Sequence, residues 1–158
     1  MIAVLSILCL FFSAAAMSYQ TFIRRNQLYF LIETITSNLA FAQNEAISLH
    51  TTIAFCPKGE KGTCGFDWSQ GQLIVNARDN TVLRELPTLP QRFQLDWKSS
   101  LGKSSELLWR DDGFTDGQQG SFYVCDQSDH FGQSAQIIVL RTGRLRVVTG
   151  VIAGCSER

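Results

Sequence analysis

The stretch NLAFAQNEAISLHTTIAFCP, residues 38–57, changes character halfway along. Up to Leu49 its apolar residues return at three- and four-residue steps. After Thr52 they run together as β-branched and aromatic residues, and Pro57 closes the run. A helix handing over to a strand is the reading of that change. Followed backwards, the helical period continues through Leu28, Leu31, Ile32, Ile35, Leu39, Ala42, Ala46 and Leu49, with Gln, Glu, Asn and Ser filling the opposite face. Further back, Met1 to Ile23 carries no charge, and Arg24 and Arg25 end the run. That is close to the length that spans a bilayer. A cleaved signal peptide fits less well, because no basic segment precedes the run and the helix continues beyond it. The expectation is one helix from Met1 to about Thr51, roughly 75 Å long. Residues 1–23 would be membrane-embedded, and the amphipathic remainder needs an apolar partner.

Followed forwards, the chain breaks into short β-rich runs separated by Gly, Asp, Asn and Pro. Candidate strands are Thr52–Phe55, Gln72–Asn76, Thr81–Leu86, Phe93–Trp97, Glu106–Trp109, Ser121–Cys125, Ala135–Arg141 and Leu145–Val148. No long helix is expected after Thr51. A helix half laid on antiparallel sheet is an α+β solution, and residues 24–158 form one soluble domain.

The chain has 158 residues, 14 basic and 14 acidic, so its formal net charge is zero. Nucleic-acid binding would have to come from local concentration of charge. Of the 5 cysteines, Cys9 lies in the apolar run, Cys56 and Cys64 bracket CPKGEKGTC, and Cys125 and Cys155 are far apart. Without a C-x-x-C or paired histidines, zinc is not expected. Two disulfides, Cys56–Cys64 and Cys125–Cys155, are the simplest economy and imply an oxidising compartment. Four unpaired buried thiols are the alternative. His50 and His130 have no nucleophile or carboxylate constellation around them in sequence. Asp111, Asp112 and Asp116 in DDGFTDGQQG lack EF-hand spacing, and KGEKG lacks the G-K-S/T of a phosphate loop. No enzyme chemistry, cofactor or metal is expected.

One stretch runs against its own composition. IIVLRTGRLRVVTG carries Arg141, Arg144 and Arg146 inside a β-branched run. Thr142-Gly143 is a plausible tight turn, with Gly143 permitting positive φ. Pairing Arg141 across it with Arg144 would put Arg141, Arg144 and Arg146 on one face and Leu145 and Val147 on the other. Like charges so opposed are costly. A solvated hairpin is one reading. A phosphate-binding surface is the other, since guanidinium forks match phosphate oxygens. Lys98 and Lys103 would widen it if the fold brings them near. No aromatic is interleaved with the arginines in sequence, so base stacking is not expected.

The apolar start MIAVLSIL, the segment NLAFAQNEAISLHTTIAFCP, the block WSQGQLIVNARDN, and DDGFTDGQQGSFYVCD followed by GRLR together resemble the type IV pilin-like proteins, and more narrowly the FimT/GspH group of minor pilins and type II secretion pseudopilins. The resemblance implies a long N-terminal helix packed on a C-terminal antiparallel β-sheet domain. It implies an inner-membrane protein with its domain in the periplasm, and later in the pilus or at its tip. Expected partners are other major and minor pilins, inner-membrane lipid and the pilus or secretion assembly machinery. In FimT-like members a C-terminal Gly-Arg-x-Arg motif is associated with DNA binding in natural transformation. Here Gly143, Arg144 and Arg146 match it; Arg141 is added from hairpin geometry. DNA would be held mostly by phosphate contacts with little sequence preference. A purely structural minor pilin or GspH-like pseudopilin is the alternative. Family members carry a basic leader and a Glu near the mature N-terminus. The sequence given starts inside the hydrophobic helix, so a start set too far downstream is expected, with a truncated form as the alternative.

Overall fold

The computed structural model describes residues 2–100, 105–127 and 134–155; the side chains of residues 2–18, 20, 21 and 61 fall outside that description. A single helix, α1 (Ile2–Leu49), opens the chain. Neither Gly nor Pro occurs before Pro57, so nothing interrupts its hydrogen-bond ladder. It ends at His50, whose φ of 47° takes the left-handed position more often given to glycine. The Thr51 N–H then donates to the Ala46 carbonyl at 3.2 Å. The apolar run expected to enter a membrane, residues 1–23, lies largely on side chains outside the description. Among the described residues no helix is long and apolar enough to cross one.

All eight expected strands form, with ends shifted by no more than two residues: β1 (Ile53–Pro57), β2 (Gln72–Asn76), β3 (Val82–Leu86), β4 (Phe93–Ser99), β5 (Leu107–Trp109), β6 (Gly120–Asp126), β7 (Ser134–Val139) and β8 (Leu145–Gly150). They make two antiparallel sheets, ordered β3-β2-β1-β5 and β4-β6-β7-β8. Three short 3₁₀ turns, Glu60–Gly62, Trp68–Gln70 and Ala153–Cys155, are the remaining helical pieces among the described residues.

The helix's apolar stripe buries against both sheets. Leu28, Ile32, Ile35, Leu39, Ala42 and Ala46 join one core with Ile53 and Phe55 of β1, Ile74 of β2, Phe122 and Val124 of β6, and Ala135, Ile137 and Val139 of β7. Each large aliphatic side chain so buried contributes roughly 1.5–3 kcal/mol before chain entropy is counted. Phe122 lies at the centre of an aromatic cluster, with ring centroids 5.7 Å from Phe55, 4.9 Å from Trp68 and 4.5 Å from Trp97. That cluster joins the two sheets. Leu49 does not join the core: it is 47% exposed.

Polar clamps finish the layers. Arg84 of β3 donates to Asn38 of α1 at 3.1 Å, and its guanidinium stands 3.7 Å above the Phe41 ring. Arg92 pairs with Asp126 in two-pronged fashion at the end of β4 and β6. Both expected disulfides are present. Cys56–Cys64 closes the KGEKG loop beside β1, and Cys125–Cys155 ties the C-terminal turn back to β6.

Candidate nucleic-acid interface

The arginine cluster sits on the hairpin formed by β7 and β8. Val139 is opposite Leu145 and Ile138 is opposite Arg146. The Leu140 N–H donates to the Arg144 carbonyl at 3.0 Å, and the Gly143 N–H donates to the Leu140 carbonyl at 2.9 Å. The turn is therefore Arg141–Thr142–Gly143, with Gly143 at φ 80°. This corrects the expected pairing. Leu140, not Arg141, lies across from Arg144, because a three-residue turn takes Arg141 out of the ladder. No arginine opposes another across the hairpin, so the like-charge cost expected from the sequence does not arise.

Strand alternation sets the faces. Leu145 and Val147 lie on the same face as Val139 and Ile137, their cross-strand partners; Leu145 packs against the core, but Val147, expected to do so too, is 41% exposed. Arg144 and Arg146 project from the outer side. Arg141 is exposed at the turn, but its backbone is not loose: its carbonyl accepts from the Thr115 N–H at 3.1 Å. Among the described residues none of the three guanidiniums has an ion-pair partner.

Lys98 belongs to the same outer face. It is level with Arg146 in one row across the sheet, through Ser121 and Ile138. Three strand spacings put the two backbones about 14 Å apart. The Lys98 Nζ lies 4.9 Å from the Tyr123 ring centre. Lys103 lies outside the described residues, as does His130.

Two neighbours of the cluster were not legible in its own stretch of sequence. The first is acidic. The Thr115–Arg141 bond brings the loop holding Asp111, Asp112 and Asp116 to the flank of the turn. Asp112 is engaged by Arg110 at 2.7 Å. Asp111 and Asp116, with His50, Arg78 and Arg110, line a polar depression of about 640 Å³ beyond it. The outer face of β8 thus carries Arg144 and Arg146, while past the turn the charge is mixed, Asp111 and Asp116 sharing the depression with Arg78 and Arg110.

The second neighbour is aromatic. Tyr123 lies on the outer face between Lys98 and the arginine strand. Its ring is packed so closely by Gly154 that a Cβ there would overlap Cε1. Phe114, 49% exposed, directly precedes Thr115, the residue whose N–H bonds the Arg141 carbonyl. No period or spacing links residue 114 to residue 141, so only the three-dimensional pairing could reveal it.

The Cys125–Cys155 bond returns the tail across this face and fixes one border of it. The arrangement offers exposed guanidiniums at the turn and along β8, with no ion-pair partner among the described residues. Among the described residues no group of three or more His, Cys, Asp or Glu could hold a metal ion.

Residues 31–143 match the family model described as type II transport protein GspH. No curated protein sequence matches the chain. Among solved structures it is similar to the type IV minor pilin FimU of Pseudomonas aeruginosa, with 19% identity and a TM-score of 0.63 over 80% of this chain and 92% of that one. It is also similar to the minor pseudopilin EpsH from the type 2 secretion system of Vibrio cholerae, with 11% identity and a TM-score of 0.60 over 78% of this chain and 97% of that one. At those identities the two neighbours establish the fold. The family match covers most of the chain, from the amphipathic half of α1 to the arginine turn, and the chain belongs to the GspH family, as a type IV pilin-like minor pilin or pseudopilin of the FimT/GspH group.

Proposed function

We propose that this chain is a minor pilin of a type IV pilus that binds extracellular DNA through Arg141, Arg144 and Arg146, with Gly143 shaping the turn, and contributes to DNA uptake. The observation that carries the reading is the set of three exposed guanidiniums on one hairpin with no ion-pair partner among the described residues. The carboxylate of Asp112, on the loop beside the turn, is engaged by Arg110. Phosphates would supply the missing counter-charge, by backbone contacts that do not read sequence. Lys98 is the outlying member of the patch, and Lys103 a further candidate. The reading includes a single membrane-embedded pass through residues 1–23, with residues 24–158 in the periplasm before assembly. A small footprint of this kind gives micromolar affinity per copy, so capture gains from several copies.

The test is titration of the full chain, held in detergent, with a short duplex at rising salt, beside an Arg144→Gln/Arg146→Gln variant. Binding that weakens steeply with salt and falls in the variant is expected. Equal binding by the variant sinks this site. The alternative, a structural minor pilin or pseudopilin acting by subunit contacts alone, draws on exposed apolar residues of α1: Tyr19, Phe22 and Phe30, the last 75% exposed. It predicts no binding at any salt.

A further inference from the structure

Gln43 of α1 has no part in the phosphate contacts, yet it lies beneath the arginine turn. Its Nε2 donates to the Gly113 carbonyl at 2.7 Å. The same amide fills the space beside Gly143. A Cβ at Gly143 would overlap Gln43 Nε2, stand 2.5 Å from the Gly113 oxygen and 3.1 Å from Gln43 Cδ. Gly113 is built the same way: φ is 78°, and a Cβ there would come 2.8 Å from Cδ1 of Ile47, one helical turn beyond Gln43. Two tight turns from distant parts of the chain therefore stack on a single turn of α1. Each depends on a glycine at positive φ, and the Thr115–Arg141 backbone bond ties them together.

We infer that Gln43 is the positioning residue of the arginine turn, fixing through one side-chain amide where Arg141 and Arg144 stand relative to α1. The position demands a donor long enough to reach Gly113 and flat enough to lie under Gly143. Glutamate would set a carboxylate against a carbonyl oxygen, and alanine would leave the carbonyl without its donor. A turn already docked on a helix has lost its backbone freedom before any polyanion arrives. That removes part of the ordering cost of binding. Its functional consequence rests on the DNA-binding reading above; its geometry does not.

The experiment uses the full chain in detergent micelles, with Gln43→Ala, Gln43→Met and Arg144→Gln/Arg146→Gln variants. Two readouts are taken. One is backbone amide hydrogen exchange in peptides spanning 110–118 and 138–146. The other is affinity for a short duplex DNA. Gln43→Ala and Gln43→Met are expected to exchange about fivefold faster in both segments and to bind DNA about threefold to tenfold more weakly. Methionine keeps the bulk but not the donor, so it isolates the hydrogen bond. The double arginine variant is expected to lose DNA affinity with its exchange unchanged, a pattern that a general loss of structure would not give. Unaltered exchange in both Gln43 variants overturns the positioning role. Faster exchange with undiminished DNA affinity overturns its link to binding. A native chain that binds no DNA overturns the function proposed above, while the exchange data still decide whether Gln43 holds the turn.

Discussion

Neighbouring residues in the arginine turn carry opposite kinds of consequence. Arg144 and Arg146 are exposed and bonded to nothing described through their side chains, so replacing both with Gln is expected to shift unfolding free energy by no more than about 0.5 kcal/mol. The same change is expected to reduce the slope of log affinity against log salt on duplex DNA by about 1.8, for two lost phosphate contacts. Gly143, buried at φ 80° with Gln43 and Gly113 against it, behaves otherwise. Gly143→Ala is expected to cost about 1–3 kcal/mol in urea unfolding, from backbone strain and overlap together. A wild-type midpoint in that variant would count against the docked turn. The sequence marked Gly143 as a turn former, because Thr-Gly between two β-branched arms is a local signal. It could not mark the packing role, since both partners of that contact are remote in the chain.

Elements were the most legible scale. The helical period from Leu28 to Ala46 named the buried stripe, and short alternating or β-rich runs between turn residues named the strands; β1 and β2, buried along nearly their whole length, were marked by composition rather than alternation. These signals are local consequences of backbone repeat and side-chain preference. Leu49 shows where that stops. Periodicity assigns a face but not how far along a helix the covering sheet extends. Leu39→Ala is accordingly expected to destabilise by about 2–5 kcal/mol, and Leu49→Ala by less than about 0.5 kcal/mol, when both are compared by denaturant unfolding. The disulfides give a second contrast. Cys125–Cys155 spans 30 residues of sequence and Cys56–Cys64 spans 8. Loop-closure entropy then assigns them about 3.7 and about 2.6 kcal/mol respectively. Pairwise replacement by Ala should therefore lower the unfolding midpoint more for the long loop, and the reverse order would point to native packing at buried Cys56.

Across the whole molecule, α1 is the ruler against which the site is measured. Gln43 lies 20 residues beyond Ile23, about 30 Å along the axis. The turn is thus carried well away from the proposed membrane segment. With three arginines engaged, log affinity for duplex DNA is expected to fall with log salt at a slope near −2.7, and near −2.1 for a single strand. Lys98, about 14 Å across the face, is expected to weaken binding less than Arg144 does when changed to Gln; a larger loss would move the centre of the patch to β4.

Taken alone, the sequence determined what depends on near neighbours: the long helix, its apolar stripe, all eight strands, the turn at Gly143 and an α+β class. It also carried the family resemblance on which the reading of Gly-Arg-x-Arg depends. The tertiary structure alone decided that Leu140 rather than Arg141 faces Arg144, that an acidic loop borders the basic face, and that Gln43 underlies the turn. Those facts join residues 43, 113 and 143, or 115 and 141. Hydrophobic patterning says which face of an element is buried, yet many sheet orders and registers satisfy the same pattern. Only the packed arrangement selects among them, and with it the company the arginines keep.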